Sequence, residues 1–255
     1  MEENENGISE EENKNEINKN QKEISENNPN EKENELDYEI LSEDLGNVNF
    51  SFKVIVIGDS GVGKSCLTLR GTKNNFNDFY SPTIGFEFLS FNIKIKKQII
   101  KLQIWDTCGQ EVYRSLISSF YRNASLAIIV YSIDNLESFE NLESWLDEIK
   151  SQTHPNLKRF LIGNKADLEN NRHVDKSLAE ELVKEHNLDF FIETSAKTGL
   201  NAQEIFIKAA KVLFEDGKKY TENDLSLNPE NAIPLKSEEE NENANEDERR
   251  KKKCC

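Results

Sequence analysis

Apolar runs alternate with amphipathic segments along the middle of this chain, between residues 50 and 217. Five of the runs have the length and composition of buried parallel strands, at residues 52–57, 99–105, 125–131, 158–162 and 189–193. The segment from Phe86 to Ile95 predicts a further strand, which returns antiparallel at the edge of the sheet. Apolar residues recur at helical spacing from Leu136 to Ile149 and from Ile205 to Leu213. The pattern predicts a three-layer α/β fold of about six strands, mostly parallel, with about five helices.

The two ends of the chain differ in composition from this middle part. Residues 1–50 hold 16 of the 48 acidic residues but only 4 of the 32 basic ones, and large apolar side chains are few there. Such a segment cannot bury enough surface to offset the entropy cost of ordering it. We therefore expect a disordered acidic extension over residues 1–48, a folded domain over 49–217 and a flexible tail over 218–255. An interaction arm is the alternative for the extension.

Neither a membrane-spanning segment nor a signal peptide is expected. No apolar run approaches the length of a membrane span, and the N-terminus lacks a charged and then apolar pattern. We therefore expect the chain on the cytosolic side of membranes. Two of the four cysteines are the last two residues, so neither a disulfide framework nor a zinc site is expected. Nucleic acid is not expected as a partner.

A glycine-rich loop follows the first predicted strand. Residues 58–65 read Gly-Asp-Ser-Gly-Val-Gly-Lys-Ser and precede a helix-like stretch, which is the context of a phosphate-binding P-loop. Glycines allow a tight turn, so that backbone N–H groups and the helix N-terminus converge on phosphates. Lys64 would add a positive charge and Ser65 a hydroxyl for Mg²⁺. A glycine-rich turn without a ligand is the alternative.

A second motif, Asn164-Lys-Ala-Asp167, indicates which nucleotide is bound. The carboxylate of Asp167 can accept two hydrogen bonds from the N1–H and 2-amino groups of guanine, whereas adenine offers no matching pair of donors. Asn164 is expected to tie this loop to the P-loop, and the methylene groups of Lys165 to lie over the base. A solvated turn is the alternative, but the motif ends a predicted strand.

Two further motifs end predicted strands in the same way. The apolar segment 102–105 runs into Asp106-Thr-Cys-Gly109, and the segment 190–194 runs into Ser195-Ala-Lys197. Ligands bind at the carboxyl ends of the strands in an open α/β sheet. Four motifs at four such ends therefore predict one nucleotide site.

With these motifs the chain resembles the Rab family of Ras-superfamily small GTPases over about residues 50–217. The segments that carry the resemblance to Rabs are Ser81–Phe88, Lys101–Glu111, Phe120–Ala124 and the terminal Cys254-Cys255. The resemblance implies a P-loop NTPase small G domain that cycles between GTP and GDP as a switch in vesicle traffic. Leu89-Ser90 and the segment Arg114 to Ile117 are similar to Rabs of the Golgi retrograde branch.

The resemblance also implies the residues of the site. Ser65, Thr83 and Asp106 would hold Mg²⁺, and Gln110 would be the catalytic residue that orients the attacking water. Phe76 would pack against the guanine, with a core residue at a helix end as its alternative. The expected nucleotide-binding residues are Asp59, Ser60, Gly61, Val62, Gly63, Lys64, Ser65, Cys66, Phe76, Thr83, Gly109, Asn164, Lys165, Asp167, Ser195, Ala196 and Lys197.

Regulators and effectors follow from the same resemblance. No arginine lies between Thr72 and Thr83, so intrinsic hydrolysis should be slow and a GTPase-activating protein should supply the missing positive charge. Slow GDP release implies an exchange factor. Effectors would bind an aromatic patch of Phe88, Trp105 and Phe120, although core packing would need such residues too.

The last residues imply a lipid anchor. Geranylgeranyl groups on Cys254 and Cys255 would hold the protein on the cytoplasmic face of Golgi or endosomal membranes. Escort and dissociation-inhibitor proteins would then allow it to cycle with the cytosol.

Three alternatives stay open. A P-loop ATPase or small-molecule kinase would have no use for residues 164–167. A GTP-binding scaffold that does not hydrolyse GTP is compatible with Pro82 and Cys108, which depart from the usual Rab residues and affect the expected switching rates. A Ras-like or Rho-like signalling switch would need a cysteine at position 252, where this chain has Lys252.

Overall fold

The fold is a single open sheet covered by helices. The computed structural model describes residues 37–41, 47–77, 83, 85–107 and 121–227, with the backbone alone over 219–227. The seven strands within these residues are β1 (Tyr38–Leu41), β2 (Phe50–Ile57), β3 (Phe86–Ile95), β4 (Gln98–Thr107), β5 (Leu126–Ser132), β6 (Lys158–Asn164) and β7 (Phe190–Glu193). Their order in the sheet is β1-β3-β4-β2-β5-β6-β7.

The sheet is parallel from β4 to β7 and antiparallel at its β1 side. Every residue of β5 is buried, because helices cover both faces of the sheet at its centre. This arrangement explains the near-continuous apolar runs that predicted the strands. The predicted α/β class is confirmed.

The described helices are α1 (Lys64–Lys73), α2 (Leu136–Glu140), α3 (Leu142–Gln152), α4 (Lys176–His186) and α5 (Glu204–Leu227), with a short 3-10 helix at Ala166–Asn171. The helical pattern from Leu136 to Ile149 belongs to two helices that meet at Asn141. In α3 the residues Trp145, Leu146 and Ile149 form the stripe buried against the sheet. Among the described residues, none of the helices combines the length and the apolar character needed to cross a membrane.

The edge of the sheet differs from the prediction. Strand β3 was expected at the edge, but β1 pairs with it antiparallel, with Tyr38 opposite Ile95. Glu39 lies 3.7 Å from Lys94, and the Lys211 ammonium lies 4.5 Å from the centre of the Tyr38 ring. The predicted disordered extension over residues 1–48 therefore includes an ordered strand, because the open edge of β3 offers backbone hydrogen bonds to this short segment.

Helix α5 extends the C-terminal end of the fold. It continues to Leu227, beyond the domain end predicted at residue 217. The division into extension, domain and tail otherwise stays a prediction.

Candidate functional site

The loop between β2 and α1 has the backbone geometry of a tight anion-binding turn. Gly58, Gly61 and Gly63 all have positive φ angles, of 135°, 80° and 91°. A Cβ atom on Gly58 would lie 2.1 Å from the carbonyl oxygen of Val130, so only glycine fits there. Helix α1 begins directly after this loop, with Gly63 as its N-cap, so the first N–H groups of the helix point toward the loop.

Lys64 places a cation within this loop. Its side chain is buried, and Nζ donates hydrogen bonds to the carbonyl oxygens of Gly58, at 2.8 Å, and Asp59, at 2.7 Å. A buried ammonium group beside a helix N-terminus fits a phosphate ligand.

The side chain of Asp59 is occupied by the protein itself. Its two carboxylate oxygens accept hydrogen bonds from Asn141 Nδ2, at 2.7 Å, and from Trp145 Nε1, at 2.8 Å. These contacts fasten the P-loop to α3. Sequence reasoning missed Asn141 and Trp145, since neither belongs to a motif and Trp145 reads as a core residue of its helix.

Three oxygen-bearing side chains meet next to the P-loop. Ser65 Oγ is 2.7 Å from Thr83 Oγ1, and it donates a hydrogen bond to Asp106 Oδ2. Asp106 is completely buried, and its Oδ1 atom has no hydrogen-bond partner within the described part of the chain. Two hydroxyls and a carboxylate with a spare oxygen are hard ligands, and this set fits Mg²⁺.

Burial makes the charged form of the Asp106 carboxylate unfavourable. Desolvation raises its pKa from 3.8 to about 6, against the hydrogen bond from Ser65 and the charge of Lys64, while the charge of Glu87 raises it further. A bound cation would compensate this charge.

Asn164 joins three loops at the other half of the site. Its Nδ2 donates to the carbonyl oxygen of Val62 at 2.8 Å, so the contact predicted with the P-loop is present. Its Oδ1 accepts hydrogen bonds from Thr194 Oγ1, at 3.2 Å, and from the backbone N–H of Ala196, at 3.3 Å. A single buried amide therefore holds the ends of β2, β6 and β7 together.

Asp167 is exposed, and its orientation is fixed from one side. Ser195 Oγ donates a hydrogen bond of 2.6 Å to Asp167 Oδ1, and the residue as a whole is exposed. Lys165 has a left-handed backbone with φ of 64°, and its ammonium lies 3.6 Å from Asp134. The structure thus brings both predicted base-binding motifs to one place.

Two arginines that sequence reasoning missed support these loops. Arg172 is paired with Glu193 on β7 at 2.7 Å and with Glu169 of the 3-10 helix at 2.6 Å. Arg70 on α1 donates to the carbonyl oxygens of Ala196 and Lys197. Neither arginine lies in a motif, so only the folded chain identifies them.

The aromatic residues predicted for effectors form a partly exposed cluster. The ring of Trp105 lies 5.5 Å from Phe88 and 5.3 Å from Phe86, centre to centre. Phe86 and Phe88 are each 48% exposed. Such exposure distinguishes them from core aromatics and adds Phe86 to the predicted patch.

Other predicted site residues fall in two groups. Phe76 is half-buried beside Arg70, and Cys66 is half-buried on α1. Outside the described residues lie Gly109, Gln110, Phe120, Cys254 and Cys255, together with Pro82 and Cys108.

Several known proteins have sequences similar to this chain. The model of the Ras family matches residues 53–215. Ras-related protein Rab-13 of Bos taurus is 43% identical over 173 residues, which cover 68% of this chain and 85% of that protein. GTP-binding protein YPTM1 of Zea mays is 38% identical over 207 residues, covering 81% of this chain and 97% of that protein. Rab-13 of Rattus norvegicus is also 43% identical over 173 residues.

The family match spans the P-loop, the buried carboxylate and both predicted base-binding loops, and the identity to Rab-13 and YPTM1 extends over most of the length of those proteins. Ras-family GTPases bind GTP or GDP with Mg²⁺. The chain belongs to the Ras family and is a Rab-type small GTPase.

Proposed function

We propose that this chain is a GTP-selective switch in which Asp167 reads the guanine and the P-loop holds the phosphates. The observation that carries the proposal is the junction at Asn164, because one buried amide links the P-loop to both base-binding loops. Such a link places a base-reading carboxylate and a phosphate cradle at a fixed separation. The hydrogen bond from Ser195 leaves Asp167 able to accept the two donors of guanine.

The phosphate half of the site supports hydrolysis. Lys64 and the N–H groups of the glycine loop would bind the β- and γ-phosphates. Ser65, Thr83 and Asp106 would hold Mg²⁺, which supplies charge neutralisation at the phosphates. Gln110 would orient the attacking water, an assignment that comes from the sequence.

Single-turnover hydrolysis tests this proposal. Stoichiometric GTP labelled on its γ-phosphate is incubated with the full chain, and phosphate release is followed with and without excess ATP. We expect slow release that ATP does not inhibit and that Gln110→Leu slows at least about tenfold. Gln103→Leu is the matched control, since Gln103 bonds to Ser51 on the exposed side of the sheet.

Each contrary outcome has its own meaning. Equal competition by ATP would contradict guanine selection and favour the P-loop ATPase or kinase. Tight GTP binding without hydrolysis, even with a GTPase-activating protein, would identify a GTP-binding scaffold.

The exposed aromatic cluster supports a role in recruiting effectors. Phe86, Phe88 and Trp105 lie on the strands that connect Thr83 to Asp106, so their surroundings would depend on the same segments that are expected to contact the γ-phosphate. An exchange factor and a GTPase-activating protein would set the state of the switch. Escort and dissociation-inhibitor proteins would carry the lipidated chain. The Golgi retrograde branch stays a prediction for the compartment.

The C-terminal cysteines provide a test of the membrane anchor. Two prenyl groups on Cys254 and Cys255 bind a membrane durably, whereas one binds reversibly. We expect Cys254→Ser with Cys255→Ser to move the protein to the cytosolic fraction of its own cells without changing GTP binding. Replacing the basic run 249–253 by glutamine should reduce membrane recovery only partly. Membrane association that survives the loss of both cysteines would exclude this anchor.

A further inference from the structure

Arg70 lies in the last turn of α1 and reaches the loop that follows β7. Its Nε donates a hydrogen bond of 3.0 Å to the carbonyl oxygen of Ala196, and its Nη2 donates one of 2.7 Å to that of Lys197. Two N–H groups of one planar guanidinium thus donate hydrogen bonds to two consecutive backbone carbonyl groups. A lysine ammonium group cannot make this planar two-point contact.

The loop that accepts these hydrogen bonds from Arg70, Ser195–Lys197, lines one side of the base site. Ser195, directly before the two accepting residues, orients Asp167, and the N–H of Ala196 bonds to Asn164. The position of this backbone therefore affects both the guanine-reading carboxylate and the amide that links the loops.

The same guanidinium also holds the C-terminal end of α1. Its Nη1 donates to Asn74, at 3.4 Å to the backbone oxygen and 3.2 Å to the side-chain oxygen. Asn74 ends the helix in a left-handed conformation. Phe76 follows two residues later, with its ring centre 5.9 Å from the Arg70 guanidinium carbon.

Close packing makes this contact possible. A Cβ atom on Gly71 would lie 2.4 Å from the carbonyl oxygen of Ala202, so a larger residue would push α1 away from the turn before α5. A Cβ atom on Gly199 would lie 3.6 Å from Arg70 Nε. The helix and the base loop are thus held at a separation that the arginine side chain spans.

We propose that Arg70 is a positioning residue that holds together two segments lining the base site. One is the end of α1 with the residues after it, which include Phe76, and the other is the loop Ser195–Lys197. The inference rests on the proposed guanine site. Because one guanidinium bonds to both segments, a shift of either segment would alter the loop that orients Asp167.

Release of two related nucleotides tests this role. Dissociation rates of fluorescent GDP and of fluorescent inosine diphosphate, which lacks the 2-amino group, are measured on the full chain and on Arg70→Gln and Arg70→Lys. We expect Arg70→Gln to release GDP about tenfold faster than the unaltered protein. Inosine diphosphate should be affected less, because it already lacks one bond to Asp167, so the preference for GDP shrinks. Arg70→Lys should recover part of the loss through a single hydrogen bond.

Arg159→Gln is the matched control. Its guanidinium donates to the carbonyl oxygen of Asn187 at 3.3 Å, and Arg159 lies near the start of β6, at the opposite end of that strand from Asn164. We expect it to leave the GDP preference unchanged.

Two contrary outcomes distinguish the proposed role of Arg70 from the proposed role of Asp167. If Arg70→Gln releases both nucleotides at unaltered rates, or accelerates both by the same factor, Arg70 does not position the base site. If the unaltered protein itself fails to prefer GDP over inosine diphosphate, the proposed role of Asp167 is wrong instead.

Discussion

The two halves of the nucleotide site are stabilised in opposite ways. On the base side, Asn164 and Asp167 each have protein hydrogen-bond donors or acceptors that fix their orientation. On the phosphate side, Asp106 is completely buried and its Oδ1 atom lacks a partner among the described residues. The base side is held by hydrogen bonds of the protein itself, whereas the phosphate side carries a charge that a cation would balance.

This difference separates two tasks. Recognition of a base needs donors and acceptors at fixed positions, and a preorganised site loses little entropy when the ligand binds. A switch needs a region whose stability depends on the ligand, and a buried carboxylate with a raised pKa provides that dependence. Changes on the base side should therefore alter selectivity, and changes on the phosphate side should alter stability and its dependence on pH.

The largest effect should come from the base side, with Asp167→Asn. The amide retains one acceptor oxygen but presents a donor to the 2-amino group of guanine, so we expect GTP binding to weaken by about 4 kcal/mol, or close to a thousandfold. Xanthosine nucleotides carry a carbonyl oxygen in place of this amino group, which can accept a hydrogen bond from the amide, so they should gain relative affinity. Equilibrium competition between the two nucleotides measures both effects.

Asp147→Asn is the control for this change, since Asp147 is exposed on α3 and lies 3.8 Å from Lys150. An unchanged ratio of guanosine to xanthosine affinity in Asp167→Asn would show that this carboxylate does not read the base.

Sequence patterns predicted some of the residues in this comparison and missed others. The glycine loop and Asn164-Lys-Ala-Asp167 could be found because their chemistry requires particular residues at fixed spacing. Arg70 and Trp145 could not, since an arginine on a helix and an apolar stripe are ordinary features whose partners depend on tertiary packing. Strand β1 was missed for a similar reason: four residues beside an acidic segment give no strand pattern until the edge of β3 is known.

An intermediate effect should come from the phosphate side, with Asp106→Asn. The folded-state pKa of Asp106 is raised from 3.8 to about 6, so its ionisation destabilises the metal-free protein. This cost is absent below about pH 4, grows as the pH rises to about 6 and then stays constant near 3 kcal/mol. Asp106→Asn should therefore be the more stable protein at pH 7 in EDTA, by up to about that amount, and the difference should vanish at about pH 4.

Urea denaturation in EDTA without nucleotide, from about pH 4 to about pH 8, measures this difference. Added Mg²⁺ and GDP should reverse the order, because the asparagine cannot balance the cation. A stability difference that does not depend on pH would contradict the raised pKa, and Asp147→Asn should show no such dependence.

The smallest effect should come from the contact between the P-loop and α3, which belongs to neither half. Trp145→Phe keeps an aromatic ring in the core but removes the donor to Asp59. Combined with Asp59→Ala in a double-mutant cycle, it should give a coupling free energy of unfolding of about 1.5 kcal/mol, the lower end of the range expected for one hydrogen bond to a charged group. GDP should dissociate less than about tenfold faster, and its preference over inosine diphosphate should stay the same, because Asn164 and Asp167 keep their partners. A coupling near zero would mean that this hydrogen bond does not hold the P-loop, and a changed base preference would mean that the two halves of the site are not independent.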